Sequence, residues 1–225
     1  MRSATKEHLS QFHVFSRIPE KLMHELADYA FFRKYKKGQS LFMEGDPRDR
    51  IYFSLSGYSK LTNTTEEGVS TPSAFIKPYS MFPYVGLFND SYYRSSAETV
   101  TEVELLYIAT EQLERILQRN TTALTNLVRI ISGRLHNHKR RLQKVTHTHA
   151  SQRVHQLLSF LIDDLGEKTG DVIVIPCPIT MQDLADMAGT SRETIGHVLR
   201  EYVKEEKVDL TSKILTIKDP EFFRF

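Results

Sequence analysis

The stretch MAGTSRETIGHVLREYV, residues 187–203, specifies the fold of the C-terminal part of the chain. On a helical projection at 100° per residue, four apolar residues fall on one side and four other residues fall opposite them. The apolar side consists of Ile195, Val198, Leu199 and Tyr202, and the other side consists of Glu193, Gly196, His197 and Arg200. The stretch therefore predicts an amphipathic helix that buries one side and leaves the other side available to a partner.

The residues before this helix predict a second helix and a tight turn. Thr180 can cap a helix over MQDLADMA (residues 181–188), Gly189 can end it, and Thr190 or Ser191 can cap the next helix. A small residue at Ala185 allows two helices to cross closely, and a glycine makes the turn between them. This spacing is typical of a helix-turn-helix. A solvated face on a three-helix packing unit is the alternative interpretation of the polar side.

Composition excludes several classes of protein. The 225 residues are 40% apolar and 26% charged, as in an ordinary globular protein. No stretch approaches the roughly 18 apolar residues of a membrane helix, and the N-terminus lacks a signal-peptide core. We therefore expect a cytoplasmic protein with no membrane partner. Cys177 is the single cysteine, so an intrachain disulfide is excluded. It is expected to fill space, with a reactive thiol as the alternative.

Charge is unevenly distributed along the chain, although the net charge is only +2. Residues 1–149 carry 21 Lys and Arg against 15 Asp and Glu, whereas residues 150–225 carry 9 against 13. Because the C-terminal part is net acidic, any argument for nucleic-acid binding there must rest on particular residues. One tract, residues 115–162, contains nine basic residues and no acidic residue.

The middle of the chain has the pattern of short strands. From about residue 31 to residue 107, runs such as RIYFSLS (50–56) and VELLYIA (103–109) alternate with glycine and proline turns. Many short strands at near-regular spacing predict an antiparallel jelly roll of roughly eight strands. A short helix near Pro19 is predicted before the roll, and Thr110 and Thr121 are predicted to cap two helices after it. Beyond residue 150, helices and strands predict a separate small domain.

The helix predicted from about Thr121 to Thr148 carries a coiled-coil seam. Val128, Ile131, Leu135, His138, Leu142 and Val145 follow the alternating spacing of three and four residues that marks such a seam. With Leu124 and Leu127, they are the predicted dimer contacts. A helix of this length would reach about 40 Å, more than one small barrel can cover. We therefore expect a homodimer, and packing of the helix on its own barrel is the alternative.

Histidines are concentrated in one region, which raises the hypothesis of a metal or pH-sensing site. Five of the nine are His136, His138, His147, His149 and His155. His136 and His138 point to different helix faces, as do His147 and His149, so these pairs do not form an i, i+4 metal clamp. Solvation is favoured and no metal site is predicted. His138 differs because two protonated imidazoles facing each other in the seam would repel.

A metal-dependent enzyme built on a β-roll is a competing class. Such an enzyme needs two or three histidines inside the barrel, and none occurs between Glu25 and Leu135. The chain also lacks a nucleophile elbow, a phosphate-binding loop and a paired-carboxylate motif. No enzyme and no catalytic residue is therefore predicted.

Several motifs together resemble one family of regulators. They are SRETIGHVL (191–199), LADMAG (184–189), KGQSLFMEGDPRDRIYFSLSGYSKL (37–61), and GLF (86–88) with YYRSSAET (92–99). The chain resembles, over nearly its whole length, the family of the cyclic AMP receptor protein and the fumarate–nitrate reduction regulator (the CRP/FNR family). The Ser-Arg-Glu-Thr-x-Gly-His motif is also similar to regulators of the arginine deiminase pathway in Gram-positive bacteria.

The resemblance implies both an architecture and a function. The implied fold is α+β: an N-terminal cyclic-nucleotide-binding-type β-roll (1–119), a long dimerisation helix (120–149) and a C-terminal winged helix-turn-helix (150–225). The implied function is that of a homodimeric transcription regulator that reads palindromic double-stranded DNA and contacts RNA polymerase. Family habit favours activation. A sensor subunit whose C-terminal domain binds protein rather than DNA is the alternative.

The resemblance also implies how the polar side of residues 191–200 reads DNA. Arg192 matches an arginine that donates to guanine, and Glu193 matches a glutamate that accepts from cytosine. His197 stands where the receptor-protein branch has a further arginine, so the base beneath it is expected to be less strictly specified. The predicted DNA-contacting set is Thr180, Ser191, Arg192, Glu193, Thr194, Gly196, His197 and Arg200.

The candidate effector residues depart from the family pattern. Arg94 and Ser95 match the family's phosphate-binding pair, with an ion-paired surface arginine as the alternative interpretation of Arg94. Tyr84, after Pro83, stands where the family has Gly-Glu, so a backbone N–H and a carboxylate for the ribose are missing. On the long helix, His138 and Lys139 replace the Thr-Ser pair that contacts adenine. Cyclic AMP is therefore a possible effector expected to bind weakly, and no other cofactor is predicted.

Overall fold

The structure is a computed structural model that describes residues 6–65, 68, 70–144 and 149–224, and of residues 137 and 140–144 only the backbone. The α-helices are α1 (Lys6–Ser10), α2 (Glu20–Tyr29), α3 (Thr110–Gln118), α4 (Thr121–Lys144), α5 (Ala150–Leu165), α6 (Met181–Ala188) and α7 (Arg192–Lys204). The strands are β1 (Ala30–Tyr35), β2 (Ser40–Phe42), β3 (Arg50–Ser56), β4 (Ser59–Thr64), β5 (Ser70–Ile76), β6 (Met81–Phe82), β7 (Ser96–Thr99), β8 (Val103–Ala109), β9 (Glu167–Thr169), β10 (Val172–Ile175), β11 (Val208–Thr211) and β12 (Ile214–Ile217).

Strands β1–β8 form two four-stranded sheets, in the orders β1-β8-β3-β6 and β2-β7-β4-β5. Successive residues of a strand point to opposite sides, and β8 is apolar on both. Leu105 and Tyr107 enter a core shared by the two sheets, whereas Leu106 and Ile108 enter a second core on the other side. The jelly-roll prediction is confirmed, because the short apolar runs of the sequence are the strands of the roll.

The second core is covered by helices, which explains why β8 is buried on both sides. Leu26 of α2, Leu113 of α3 and Leu127 of α4 are buried there. The first half of α4 is also tied to the N-terminal segment, because Asn126 Nδ2 donates a hydrogen bond of 2.7 Å to the carbonyl of Ser16. Helix α4 therefore begins as a packed element of the N-terminal unit.

The predicted caps of α3 and α4 are each wrong by one residue. Helix α3 begins at Thr110, and the residue before it, Ala109, makes no side-chain capping bond. Helix α4 begins at Thr121, and Asn120 Oδ1 accepts a 2.8 Å hydrogen bond from the backbone N–H of Ala123. Asparagine caps a helix at least as well as threonine, which explains why Asn120 rather than Thr121 caps α4.

The C-terminal part is a helical unit with a four-stranded sheet in the order β11-β12-β10-β9. Strands β11 and β12 form a hairpin whose two-residue turn, Ser212 and Lys213, has positive φ values of 53° and 69°. This sheet beside α6 and α7 confirms the predicted winged helix-turn-helix. Cys177 is buried, and burial, helped by the nearby Asp183 carboxylate, raises the pKa of its thiol to about 12. The space-filling interpretation of Cys177 fits this environment.

The chain divides into two compact units, residues 1–68 with 74–136, and residues 69–73 with 137–225. The division falls inside α4, so the predicted boundaries at residues 119 and 149 stay predictions. Within the described part of the chain, no helix is long and apolar enough to cross a membrane.

Candidate nucleic-acid interface and effector site

The helix-turn-helix is held by two side-chain caps and a left-handed glycine. Thr180 Oγ1 accepts a hydrogen bond from the N–H of Asp183, and the Asp183 carboxylate accepts one from the N–H of Thr180. Gly189 ends α6 at φ 59° and ψ 47°, a conformation that favours glycine. Ser191 Oγ accepts from the N–H of Thr194 and so caps α7. The predicted helix-turn-helix is confirmed, with Ser191 rather than Thr190 as the second cap.

The two sides of α7 are separated as the helical projection predicts. Ile195, Val198 and Leu199 are buried. The exposed side chains are those of Glu193, His197 and Arg200 on the opposite side, and that of Arg192 at the start of the helix. Burial of its apolar side fixes the helix in place and leaves the other side exposed. A helix held in this way can enter the major groove of DNA, which is wide enough for an α-helix.

The charged groups on this exposed side have few partners within the chain. Among the residues that the structure describes, Arg192, Glu193 and Arg200 make no side-chain hydrogen bond and no ion pair. His197 Nδ1 lies 3.6 Å from Glu201 Oε1, one turn further along α7. The two arginines therefore keep their hydrogen-bond donors available for an external acceptor.

Gly196 lies in the middle of the exposed side, and packing within the chain does not require a glycine there. A Cβ at this position would meet only Met181 Cε, at an ordinary contact distance of 3.8 Å. Glycine inside a helix costs about 1 kcal/mol relative to alanine. Because the fold gains nothing from this cost, an external reason for the glycine is favoured.

Three other predicted DNA contacts also take part in capping. The Thr180 hydroxyl donates a hydrogen bond of 2.5 Å to Asp183 Oδ2, so its proton is already used inside the chain. The hydroxyl groups of Ser191 and Thr194 lie 3.0 Å apart, beside the cap of α7. The structure thus gives Thr180, Ser191 and Thr194 a local role, and their contact with DNA stays a prediction.

One positioning residue was missed by sequence reasoning. Arg153, in the first turn of α5, donates from Nε to the carbonyl of Ala188 at 3.0 Å and from a terminal nitrogen to the carbonyl of Gly189 at 2.9 Å. These carbonyls lie at the end of α6 and in its turn, and arginine satisfies such groups well. Arg153 therefore fixes the turn from which α7 starts.

Among the candidate effector residues of the roll, Arg94 is already paired within the chain. Arg94 is exposed, but its Nε donates a 2.8 Å hydrogen bond to Asp90 Oδ2. Tyr84 is half-buried against the helix-covered core, and Ser95 is half-buried just before β7. The alternative interpretation of Arg94 as an ion-paired arginine describes its state here. On α4, His138 and Lys139 are exposed, and their role in an effector site stays a prediction.

The predicted dimer seam divides between internal and exposed residues. Leu127 is only 1% exposed and belongs to the core of its own unit, with Leu124 and Ile131 half-buried beside it. Val128 is 56% exposed and Leu135 is 67% exposed. The prediction for Leu127 is therefore corrected, because adjacent residues on a helix point about 100° apart and this one faces the roll. His138 is exposed, the side chain of Leu142 is not described, and Val145 lies outside the described residues.

Potential metal ligands are not grouped within the described part of the chain. No three His, Cys, Asp or Glu side chains there lie close enough together to hold a metal ion. His147 lies outside the described residues, and His149 and His155 belong to the C-terminal unit. His155 stacks on Phe223 at 4.9 Å between ring centroids and contacts the Tyr202 ring edge. This histidine has a packing role.

Two family models match different parts of the chain. The model of a cyclic nucleotide-binding domain matches residues 32–120, which contain the roll, and the model of a Crp-like helix-turn-helix domain matches residues 152–224. The chain belongs to the CRP/FNR family. It is a transcription regulator of this family, with a cyclic-nucleotide-binding-type domain and a DNA-binding helix-turn-helix.

Individual relatives agree with this assignment. The "Global nitrogen regulator" of Nostoc sp. strain PCC 7120 is 27% identical over 190 residues, which are 83% of this chain and 84% of that protein. The "HTH-type transcriptional regulator ArcR" of Staphylococcus epidermidis is 27% identical over 202 residues, 90% and 88% of the two chains. The structure of FixK2 from Bradyrhizobium japonicum has a TM-score of 0.74 at 17% identity and covers 86% of this chain and 95% of its own.

These relatives do not distinguish subfamilies of the CRP/FNR family. Regulators with different names match at equal identity and over similar lengths. The narrower resemblance to arginine deiminase pathway regulators therefore stays a prediction.

Proposed function

We propose that this CRP/FNR-family regulator acts as a cytoplasmic homodimer that reads a palindromic duplex through α7, contacts RNA polymerase and activates transcription. The observation that carries the DNA-reading proposal is the exposed side of α7. It presents Arg192, Glu193 and Arg200 without internal partners among the described residues, on a helix whose other side is buried. The family supports a regulator rather than an enzyme.

Each polar residue of α7 has a proposed role. Arg192 donates two hydrogen bonds to a guanine, and Glu193 accepts from a cytosine amino group. Ser191 or Thr194 anchors a phosphate at the start of the helix. Gly196 lets the backbone approach the base edges, since it places no side chain on the reading surface. His197 specifies its base less strictly than an arginine would, because a neutral imidazole donates through only one nitrogen.

A homodimer is proposed because α4 exposes large apolar side chains. Val128 and Leu135 are exposed on a helix whose neighbouring residues are used by the roll. They lie seven residues apart, which is one heptad, so they share one side of the helix. Covering them with the same side of a second copy supports a dimer, and a dimer places two α7 helices on a symmetric site about one helical turn apart.

The N-terminal roll is proposed to hold an effector that modulates DNA affinity. The family model for the roll is that of a cyclic nucleotide-binding domain. Cyclic AMP is expected to bind more weakly than to a relative with the complete pocket, because Pro83 and Tyr84 lack the groups that hold the ribose. Each missing charge-assisted hydrogen bond is worth about 1.5–3 kcal/mol.

DNA binding is tested by titrating the full chain into a duplex pool at several salt concentrations. Phosphate contacts make the logarithm of the affinity fall linearly with the logarithm of salt concentration. We expect this dependence in the wild type and loss of specific retention in Arg192→Gln, Arg200→Gln. The matched control, Lys168→Gln, Lys218→Gln, removes the same charge from the same unit outside α7 and should retain DNA. A wild type that retains no duplex at low salt would support the protein-binding alternative.

A further inference from the structure

The loop before β7 is built around one carboxylate. Asp90 Oδ2 accepts from Arg94 Nε at 2.8 Å, and Asp90 Oδ1 accepts from Asn89 Nδ2 at 2.8 Å. The N–H of Asp90 donates to the carbonyl of Gly86, also at 2.8 Å. The Asp90 side chain is 12% exposed, whereas the Arg94 side chain is 66% exposed. The carboxylate is thus the half-buried, fixed partner, and the more exposed guanidinium approaches it from the surface.

Gly86 makes room for this carboxylate. It has φ +80°, and a Cβ at this position would lie 2.8 Å from both Cβ and Oδ2 of Asp90. Any other residue at position 86 would therefore displace the Asp90 side chain. The local backbone and the position of the carboxylate depend on each other.

The same loop is fastened to α3 by a buried arginine. Arg48, whose side chain is 3% exposed, donates from Nε to the carbonyl of Asp90 at 2.9 Å. A terminal nitrogen of Arg48 donates to Glu114 Oε1 at 2.7 Å, and the N–H of Phe88 donates to the same oxygen at 2.8 Å. Because Asp90 is held through its backbone as well as its side chain, its carboxylate stays beside Arg94 without a ligand.

The pair is charged at neutral pH. The hydrogen bond from Arg94 lowers the pKa of Asp90 below its usual value, and the hydrogen bond to Asp90 raises the pKa of Arg94. A phosphate that approaches Arg94 therefore competes with an existing anion for the Nε–H and is repelled by that anion at the terminal nitrogens as well.

We propose that Asp90 is a specificity-determining residue of the roll, because its carboxylate accepts the Nε–H of Arg94 and its negative charge disfavours phosphate-bearing effectors there. The inference rests on the proposed effector site and deepens it. A neutral effector, or one that does not use Arg94, is not penalised by this pair. Asp90 weakens phosphate binding at Arg94. This effect is separate from the absence, at Pro83 and Tyr84, of the backbone N–H and carboxylate of the family's Gly-Glu pair, and the two effects add.

The test is calorimetric titration of the full chain with cyclic AMP as the probe. Asp90→Asn keeps the shape of the side chain but removes its charge, and we expect it to bind cyclic AMP at least about fivefold more tightly than the wild type. The added substitution Arg94→Gln should abolish that gain. Asp28→Asn is the matched control, because it removes an exposed carboxylate from α2 of the same unit and should bind like the wild type.

Two results would overturn the inference: a folded Asp90→Asn variant without a gain, or a gain that survives the loss of the Arg94 guanidinium. Binding of the same proteins to duplex DNA is measured in parallel. If Asp90→Asn binds DNA but does not bind cyclic AMP more tightly than the wild type, the proposed role of Asp90 is wrong and the proposed DNA-binding function still stands.

A measurement on the wild type covers the case in which Asp90→Asn does not fold. The Nε–H of Arg94 should exchange with solvent at least about tenfold more slowly than that of Arg192, because only the first is hydrogen-bonded to a carboxylate within the chain. Equal exchange rates would contradict the hydrogen bond from Arg94 Nε to Asp90.

Discussion

Two exposed arginines, Arg192 on α7 and Arg94 in the roll, have opposite surroundings. Among the described residues, Arg192 has no side-chain partner, whereas Arg94 is hydrogen-bonded to Asp90. The family resemblance predicts that each of the two arginines binds an external group. An arginine without an internal acceptor loses only water when it binds, whereas an arginine paired with a carboxylate offers fewer donors and carries a neighbouring negative charge that repels anions. A matching residue type therefore does not by itself give a working site.

The surroundings of the two arginines explain this difference. Arg192 is the first residue of a helix whose cap, Ser191, is a neutral hydroxyl. Arg94 follows a loop in which Gly86 makes room for the half-buried Asp90 carboxylate. We therefore expect the C-terminal unit to behave as the family does and the N-terminal unit to differ in what it binds.

The largest expected effect is loss of the proposed dimer, because Arg192 can read a symmetric site in the proposed way only when two copies are present. Val128→Asp, Leu135→Asp places two charges on the exposed apolar side of α4 and should give a monomer in sedimentation. Each apolar side chain removed from a covered surface costs about 1.5–3 kcal/mol. The control Thr122→Asp lies on α4 away from that side and should stay dimeric. An unchanged dimer in the double variant would place the interface elsewhere.

The next largest effect is expected from Arg153, which holds the turn before α7. Arg153→Gln removes two hydrogen bonds from a charged donor to the carbonyls of Ala188 and Gly189, each worth about 1.5–3 kcal/mol when buried and less at this half-buried position. Specific DNA binding should weaken about tenfold while non-specific binding changes little, because the orientation of α7 is lost but its charge is kept. Arg153→Lys should restore only part of the affinity. Equal loss on all duplexes would count against a positioning role.

A smaller effect with two opposite signs is expected at Gly196. Gly196→Ala should raise the free energy of unfolding by about 1 kcal/mol, because glycine inside a helix is unfavourable and the chain leaves room for the methyl group. The same variant should bind specific DNA more weakly, since the methyl group lies on the reading surface. Chemical denaturation and duplex titration measure the two quantities. Stabilisation with unchanged DNA binding would show that this part of α7 does not approach the bases.

The smallest effect is expected at His197. His197→Arg places a bidentate donor where a single imidazole donor now stands, so preference for guanine at one symmetric position should increase by no more than about 1 kcal/mol, the low end of the range for a bidentate contact. Binding-site selection with both proteins measures the change. An identical base preference in the two proteins would show that residue 197 does not contact the bases.

Local patterns explain how far the sequence predicted the C-terminal unit. The caps at Thr180 and Ser191, the turn at Gly189 and the apolar side of α7 depend on residues within a few positions of each other. Such signals can be read without tertiary information. The strands of the roll were predictable for the same reason, because each is a short apolar run between turns.

Features that depend on tertiary placement were missed or misassigned. The contact between Arg153 and Gly189 joins residues 36 apart in the sequence, and no local pattern marks it. The pairing of Asp90 with Arg94 depends on the turn at Gly86 rather than on a helix. On α4, the predicted dimer contacts included both Leu127 and Val128, but only the structure shows that Leu127 faces the roll. When a helix packs both on its own domain and on a second copy, its apolar residues form a single pattern. That pattern does not show which residues contact which partner.

The most direct test of the central claim is binding-site selection with the wild type and Arg192→Ala. The account predicts that the wild type selects a two-fold symmetric site, and that Arg192→Ala relaxes one symmetric base pair at a cost of about 1–3 kcal/mol per half-site while the other positions keep their preference. If Arg192→Ala instead weakened binding to all sequences equally and lowered only the salt slope, Arg192 would be a phosphate contact, and the proposed reading of bases by α7 would be wrong.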